Sequence, residues 1–285
     1  MRSKSQSGSR RTSGRKSARP ESILSHSSRS IRQPDPALFS RATSNAFALL
    51  MAFTPRRRSL SLAQLADEAG LTVNSALICA RTLSHLGLIR QREQMGEWAL
   101  TPRMLSFGHS YLTGNPAIEQ LAPYLMDLRD SYNASVSLFA PHGLEMICVY
   151  HLPAARAAAP RVTVGTRSSM ISSPVGRAYL AALPRRESDS ILRRAIAQQS
   201  AKGNESTATT IPNTRRRNPE SMLVWTSDAT DGQEALIAAP VMARSSKALG
   251  VIQIAVSVNS VPATERIRDA LAQLTEYVLS ASTTL

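Results

Sequence analysis

The sequence predicts an α+β protein in two folded parts. Three helices and a basic hairpin come first, and an antiparallel sheet covered by helices follows. Three observations carry this. The 285 residues, 42% of them hydrophobic, suffice for about two cores at roughly 100–200 residues each. Between residues 40 and 90 the apolar side chains recur at helical spacing. From about residue 117 onward the pattern reads helix, hairpin, helix, hairpin, helix, the order expected of a sheet with helices laid on it.

The formal charge of +14 is high enough to suggest an anionic partner. Half of it lies ahead of the first helix. Nine Lys and Arg between Met1 and Asp35 face only Glu21 and Asp35. That stretch is Ser-rich and almost without large apolar residues. It cannot bury enough surface to offset the entropy of ordering, so residues 1–36 are read as a disordered basic tail. Two roles stay open for it: non-specific attraction to phosphate, or solubility alone.

"SRATSNAFALLMAF" places Ala46, Phe47, Leu49, Leu50 and Phe53 on a broad helical face. Pro55 and Arg56-Arg57-Arg58 end that helix. "SLAQLADEAG" follows, with Ser61 and Gln64 in capping-box spacing, Leu62, Leu65 and Ala66 inward, and Gly70 suited to the C-terminal cap.

The next stretch, "GLTVNSALICARTLSHLGLIR", reads as a third helix capped by Thr72 or Asn74. Val73, Leu77, Ala80, Leu83 and Leu86 are expected to face the core. Asn74, Ser75, Ile78, Arg81 and Thr82 fall largely on other sides. The exposed start of such a helix favours phosphate oxygens. Two helices joined by a short turn after a first helix make a helix-turn-helix.

"LIRQREQMGEWAL" then reads as a hairpin, one strand starting at Leu88-Ile89 and the other holding Trp98 and Leu100. Arg90, Arg92 and Gln94 approach its tip, placed to touch sugar–phosphate backbone. Three helices with a basic hairpin form a winged helix. Domains of this shape also bind proteins. The one-signed rim of Arg56, Arg57, Arg58, Arg81, Arg90 and Arg92 favours DNA.

"TPRMLSFGHSYLTGNP" is read as a connecting helix with Thr101 as N-cap and Pro102 as its first residue. Leu105, Gly108, Tyr111 and Leu112 line one side. That side either meets its copy in a dimer or lies on its own winged helix, and the two are compatible.

In the second part, Ile118, Leu121, Ala122, Leu125 and Leu128 define a helix. "ASVSLFAPHGLEMICVYHL" is a hairpin around Pro141-His142-Gly143. A further helix opens near Pro174. A second hairpin pairs residues near 235–241 with 249–258, and an amphipathic helix over about 263–280 closes the chain. The stretch between Arg185 and Asp228 is less readable, and within it "SAKGNESTATTIPNTRRRNPES" is polar and read as a loop or poorly ordered.

These pieces together resemble the IclR family of bacterial transcriptional regulators. The likeness covers about Ala37 to Ser282. It rests on the helix-turn-helix stretch, on "GEWAL" followed by "TPRMLSFGHSYL", on Gly176-Arg177-Ala178-Tyr179-Leu180-Ala181 after a loop, and on "ALIAAPVMARSSKALGVIQIAVSV". The resemblance implies a GAF-like C-terminal domain that binds a small organic, often aromatic, acid. It also implies assembly as a homodimer or tetramer, with double-stranded operator DNA as partner. On this basis the map is winged helix 37–100, linker helix 101–115, and effector-binding and oligomerisation domain 116–285.

The implied DNA contacts are Thr72, Asn74, Ser75, Ile78, Arg81, Arg90, Arg92 and Gln94. The implied effector contacts are Ser172, Ser173, Pro174 and Val175, then Asp228 and Asp231, then Ser257. The serine hydroxyls and the backbone N–H groups at Pro174 suit a carboxylate, although the same residues also serve as ordinary loop and helix-cap chemistry. The sequence departs from the family at Val73 and Ile78, where a Lys or Arg is usual. Arg81, on nearly the side of Ile78, is a candidate substitute.

Rival functions are a small-molecule-converting enzyme and a ligand-independent dimeric DNA-binding protein. No Gly-x-Ser-x-Gly, His-Glu-x-x-His or phosphate-loop motif occurs, and the five histidines are scattered. No catalytic residue, cofactor or metal site is expected. His151 is read as satisfied or exposed. Cys79 and Cys148 fall in different parts, so no disulfide is expected and a reducing cytoplasm fits. No run reaches the ~18 apolar residues of a membrane helix, and the basic start lacks the apolar segment of a secretory signal.

Overall fold

The computed structural model describes residues 38–92, 96–155, 162–201, 224–226, 234–242 and 247–257. Helix α1 (Arg41–Met51) starts where the Ser40 side chain accepts from the Thr43 N–H. Helix α2 (Leu62–Ala69) opens with the expected reciprocal box. The Ser61 N–H donates to Gln64 Oε1 (2.9 Å), and the Gln64 N–H donates to Ser61 Oγ (3.3 Å). It closes at Gly70 with φ 65°, a left-handed conformation that a Cβ disfavours. Helix α3 (Val73–His85) begins two residues later, its Thr72 cap accepting from the Ser75 N–H at 3.2 Å.

Strands β2 (Ile89–Gln91) and β3 (Trp98–Leu100) form the wing. A short strand that the sequence did not announce, β1 (Ser59–Leu60), joins them in the order β1-β3-β2. Leu60 pairs with Trp98, which seals the sheet against the helices. Leu49, Leu65, Ala76, Ala80, Leu83, Ile89 and Trp98 form one core.

Two expectations about that core are corrected. Phe47 is exposed, because it stands two residues and hence about 200° from Leu49 on the helix. On α3 the buried residues are Ala76, Ala80 and Leu83, while Val73 (53%) and Leu86 (50%) are exposed. Ala80 and Leu83 face the core as expected, Ala76 joins them, and Val73 and Leu86 stand exposed at the two ends of the helix.

The connector also differs. Thr101 does not cap a helix. Its hydroxyl points at the carbonyl oxygens of Gly87 (2.5 Å) and Leu88 (3.2 Å), tying the connector to the end of α3. Helix α4 (Met104–Thr113) starts after Arg103 with no side-chain cap. Tyr111 and Leu112 pack on the second core, whereas Leu105 is 75% exposed. Helix α5 (Pro116–Tyr132) follows at once, capped by the buried Asn115.

The second part carries a six-stranded sheet. Its strands are β4 (Ser135–His142), β5 (Glu145–Leu152), β6 (Arg167–Ser169), β7 (Val224–Thr226), β8 (Glu234–Met242) and β9 (Ala248–Ser257). Their order is β6-β5-β4-β9-β8-β7, antiparallel at each pairing. One face meets α5 through Leu121, Leu125 and Leu128 against Val136, Leu138, Ile237, Ile252 and Ile254. The other meets α6 (Pro174–Ala182) and α7 (Arg185–Ala201) through Val175, Ala178, Tyr179 and Ile191 against Phe139, Met146, Cys148 and Val251.

Helix α7 occupies the start of the stretch that the sequence left unassigned. Its inward stripe is Ile191 and Ala195, too thin to stand out among charged neighbours. The closing helix expected over 263–280 lies outside the described residues.

Candidate functional site

Helix α3 turns one side into the core, so its opposite side is free. Asn74, Ile78, Arg81, Thr82 and His85 are exposed there, at i, i+4, i+7, i+8 and i+11. At its N-terminus the Thr72 hydroxyl is committed. It accepts from the Ser75 N–H and donates to Ser75 Oγ at 2.9 Å, and Ser75 is half-buried. The free polar group of the first turn is thus the Asn74 amide, beside exposed Val73.

The wing adds Arg90 and Arg92, both exposed and two residues apart on the same strand edge. The Arg92 N–H donates to Glu97 O (2.7 Å), which holds the hairpin closed near its tip. Gln94 lies outside the described residues. Arg56, Arg57 and Arg58 are exposed beside α2, around a surface hollow of about 540 Å³ that Asp67 and Glu68 also line. Arg57 pairs with Glu68, so that part of the rim is partly neutralised.

On the sheet, the residues named for an effector behave differently from one another. Ser173 caps α6: its Oγ accepts from the Gly176 N–H (3.1 Å) and donates to Ser169 O (2.5 Å). Its proton is already used. Val175 is fully buried in the core, so its side chain cannot line a pocket there. Ser172 is exposed and Pro174 half-buried, both at the α6 start. Ser257 ends β9, paired with Glu234. Asp228 and Asp231 lie outside the described residues.

The strand register brings together a row that the sequence reading missed. Ser137 is the partner of His151 on β5 and of Gln253 on β9. Ser137 lies two residues from Phe139 and Gln253 two from Val251, so both lie on the α6 side of the sheet. Ser137 and Gln253 are buried. Ser137 Oγ lies 3.0 Å from His151 Nδ1, whereas His151 Nε2 is buried without a partner among the described residues. His151 is therefore half satisfied, neither fully satisfied nor exposed as expected. A His and a Gln within otherwise apolar strands were the available signal.

Desolvation holds the His151 pKa below its ordinary 6.5. The unfolded chain then binds the proton more readily. Stability from this group is intact above about 6.5 and falls as the pH drops towards the lower folded value. Melting temperature should decline between pH 7.5 and pH 5, and less so for His151→Gln. Equal declines in both proteins would contradict this placement. Burial also pushes the Cys148 thiol up to about 11, so it is a core side chain with little thiolate at neutral pH.

Comparison with known proteins accords with this geometry. The model of the IclR helix-turn-helix domain matches residues 42–93, and that of the bacterial transcriptional regulator IclR C-terminal matches residues 109–283. The Pca regulon regulatory protein of Pseudomonas putida is 25% identical over 146 residues, 51% of this chain and 50% of that protein. The transcriptional repressor IclR of Escherichia coli is 24% identical over 138 residues, 48% of this chain and 50% of that protein. The chain spans about half the length of the curated relatives it matches.

Among solved structures, an IclR family transcriptional regulator from Brucella abortus superposes with a TM-score of 0.69 at 21% identity, covering 86% of this chain and 94% of that one. An IclR homologue from Microbacterium hydrocarbonoxydans, complexed with 4-hydroxybenzoate, gives 0.60 at 15% identity, covering 85% and 100%. At these identities the likeness is one of fold.

Proposed function

The chain belongs to the IclR family of bacterial transcriptional regulators, and from that premise we propose that it binds operator DNA through α3 and the wing, under the control of a small organic acid. The observation that carries the DNA reading is the exposed side of α3, polar at Asn74 and basic at Arg81, with Arg90 and Arg92 beside it. Thr72 and Ser75 shape the cap and Ile78 joins the exposed side, with Gln94 kept as the further contact read from the sequence.

Two copies of α3 in a homodimer would enter successive major grooves, with half-sites about 34 Å apart. The exposed Leu105 side of α4 suits contact with a second copy, in a dimer or a tetramer. We place the domain limits at 37–100, 101–115 and 116–285, with residues 1–36 as a basic tail.

The effector reading rests on the start of α6, where Ser172 and Pro174 are accessible, and on Asp228, Asp231 and Ser257. With the Ser173 proton used and Val175 in the core, these two contribute backbone groups at most. The 4-hydroxybenzoate held by one homologue makes aromatic acids the first class to try. Effector binding would shift the spacing of the two winged helices through α4, a change of population between two arrangements.

Gel shifts on the DNA upstream of the protein's own coding region test this, at fixed salt, with aromatic and short-chain acids added in turn. A retarded band whose intensity responds to one acid class supports the reading. A band that ignores every acid supports ligand-independent binding instead, and turnover of an acid would mark an enzyme. Arg81→Ala should weaken operator binding about tenfold, within the roughly 1–3 kcal/mol of a base contact, while sparing unrelated DNA. Unchanged operator affinity would place Arg81 away from the groove.

A further inference from the structure

In a helix that enters a major groove N-terminus first, the side chains nearest the bases come from its first two turns. In α3 those on the exposed side are Asn74 and Ile78, the second and sixth residues, joined by Val73, which is exposed because it begins the helix. Val73 and Ile78 are the two large apolar side chains exposed on this helix before its C-cap, Ile78 at 60%. A single exposed apolar side chain is ordinary. Here two flank an amide on a helix whose charged side chain is the exposed Arg81, with Arg90 and Arg92 exposed on the wing that follows it; of the exposed acids before it on α2, Glu68 is paired with Arg57 and Asp67 remains. That surround suits a polyanion and disfavours an apolar protein partner.

The chemistry at the tip is then narrow. No cation lies within the first two turns to reach guanine O6 and N7, the commonest base contact. An Asn amide pairs with adenine N6 and N7, and an aliphatic side chain contacts the thymine 5-methyl. Asn74 and Ile78 are four residues apart, one above the other on the helix, so they meet the same or neighbouring base pairs.

Building on the reading of α3 as the DNA-entering helix, we infer that Ile78 and Val73, with Asn74, read A·T pairs at the centre of each half-site. The thymine 5-methyl groups are the atoms recognised. Arg81, one turn on, takes the edge of the site.

The test uses the full chain. Half-sites are selected from a randomised duplex pool at fixed salt, and each selected thymine is then replaced by deoxyuridine, which removes only the methyl. At one or two positions per half-site, loss of the methyl should weaken binding about fourfold, the worth of one buried carbon at ~0.8 kcal/mol. Ile78→Ala should remove that sensitivity, so that its affinity for the thymine and deoxyuridine sites becomes equal. The deoxyuridine arm needs no variant, and Ile78 is exposed, so misfolding does not confuse the result.

Selected half-sites centred on G·C, or thymines that all tolerate deoxyuridine, would overturn the methyl reading and leave the regulator reading standing. Absence of any sequence preference would overturn both. Self-association lost on Ile78→Ala, with DNA binding intact, would reassign these side chains to protein contact and overturn the inference.

Discussion

Gly176→Ala should destabilise the C-terminal domain by about 3 kcal/mol, the upper part of the range for forcing a carbon into a filled interior. The reason lies in one close approach. A Cβ at Gly176 would stand inside 3.0 Å of the Met170 carbonyl oxygen and 2.5 Å from that of Ser169. Both are backbone atoms, so neither can swing aside as a side-chain end would. The Ser169 carbonyl is also pinned by the Ser173 hydroxyl and N–H. Relief requires α6 to lift away from the turn after β6, which strips cover from Val175, Ala178 and Tyr179.

For a domain of this size the melting temperature should fall by roughly 6–12 °C. Gly108→Ala is the control. It lies in α4 with nothing within 4 Å of the added carbon, and there alanine should be neutral or slightly stabilising. A Gly176→Ala protein that melts with the parent would mean that α6 does not sit on that turn. The same lift displaces the loop at Ser172 and Pro174, so under the effector reading proposed above any acid response should be lost along with stability.

Removing both wing arginines, Arg90→Ala with Arg92→Ala, should produce the largest change in DNA affinity. Both are exposed, and neither is needed by the core. In a dimer the pair amounts to four cations. Each phosphate contact contributes about 0.9 to the slope of log affinity against log salt, so the slope should flatten by about 3 to 4. At physiological salt this corresponds to a loss of roughly 10²- to 10³-fold, on operator and unrelated DNA alike. Titrations over a salt series would show it. A loss confined to the operator, with the slope unchanged, would mean that the wing reads bases instead of backbone.

The contrast between the two helices α5 and α3 shows where sequence reading succeeds. In α5 the large residues Ile118, Leu121, Leu125 and Leu128 all face inward, because one flat sheet covers the helix and size and burial coincide. In α3 Ala80 and Leu83 face inward as read, but Ala76 is buried too, while the larger Val73 and Leu86 are exposed at the helix ends. Hydrophobic ranking favours the biggest side chains, so it overcounts the ends of a short helix and passes over a small buried residue. Helix α7, with two buried residues in the inward stripe, carried too little pattern to be seen.

The effector residues fared unevenly for a related reason. Ser173 was legible as a helix cap, since that bond spans three residues. That its proton goes to Ser169, and that His151 meets Ser137 while its other nitrogen goes without a partner, depends on turn and strand register.

The sequence by itself determined the order and kind of the main elements, the caps of α2 at Ser61 and Gly70, the choice of Thr72 or Asn74 to cap α3, and the basic character of the wing. Those are set by bonds and spacings within a turn or two of helix, or by the alternation of a strand. Only the tertiary structure decided that Val73 and Leu86 stay exposed at the two ends of α3, that the Ser173 proton goes to Ser169, and which strands set His151, Ser137 and Gln253 side by side. Such outcomes depend on how closely distant segments approach, and a chain read one residue at a time does not contain that distance.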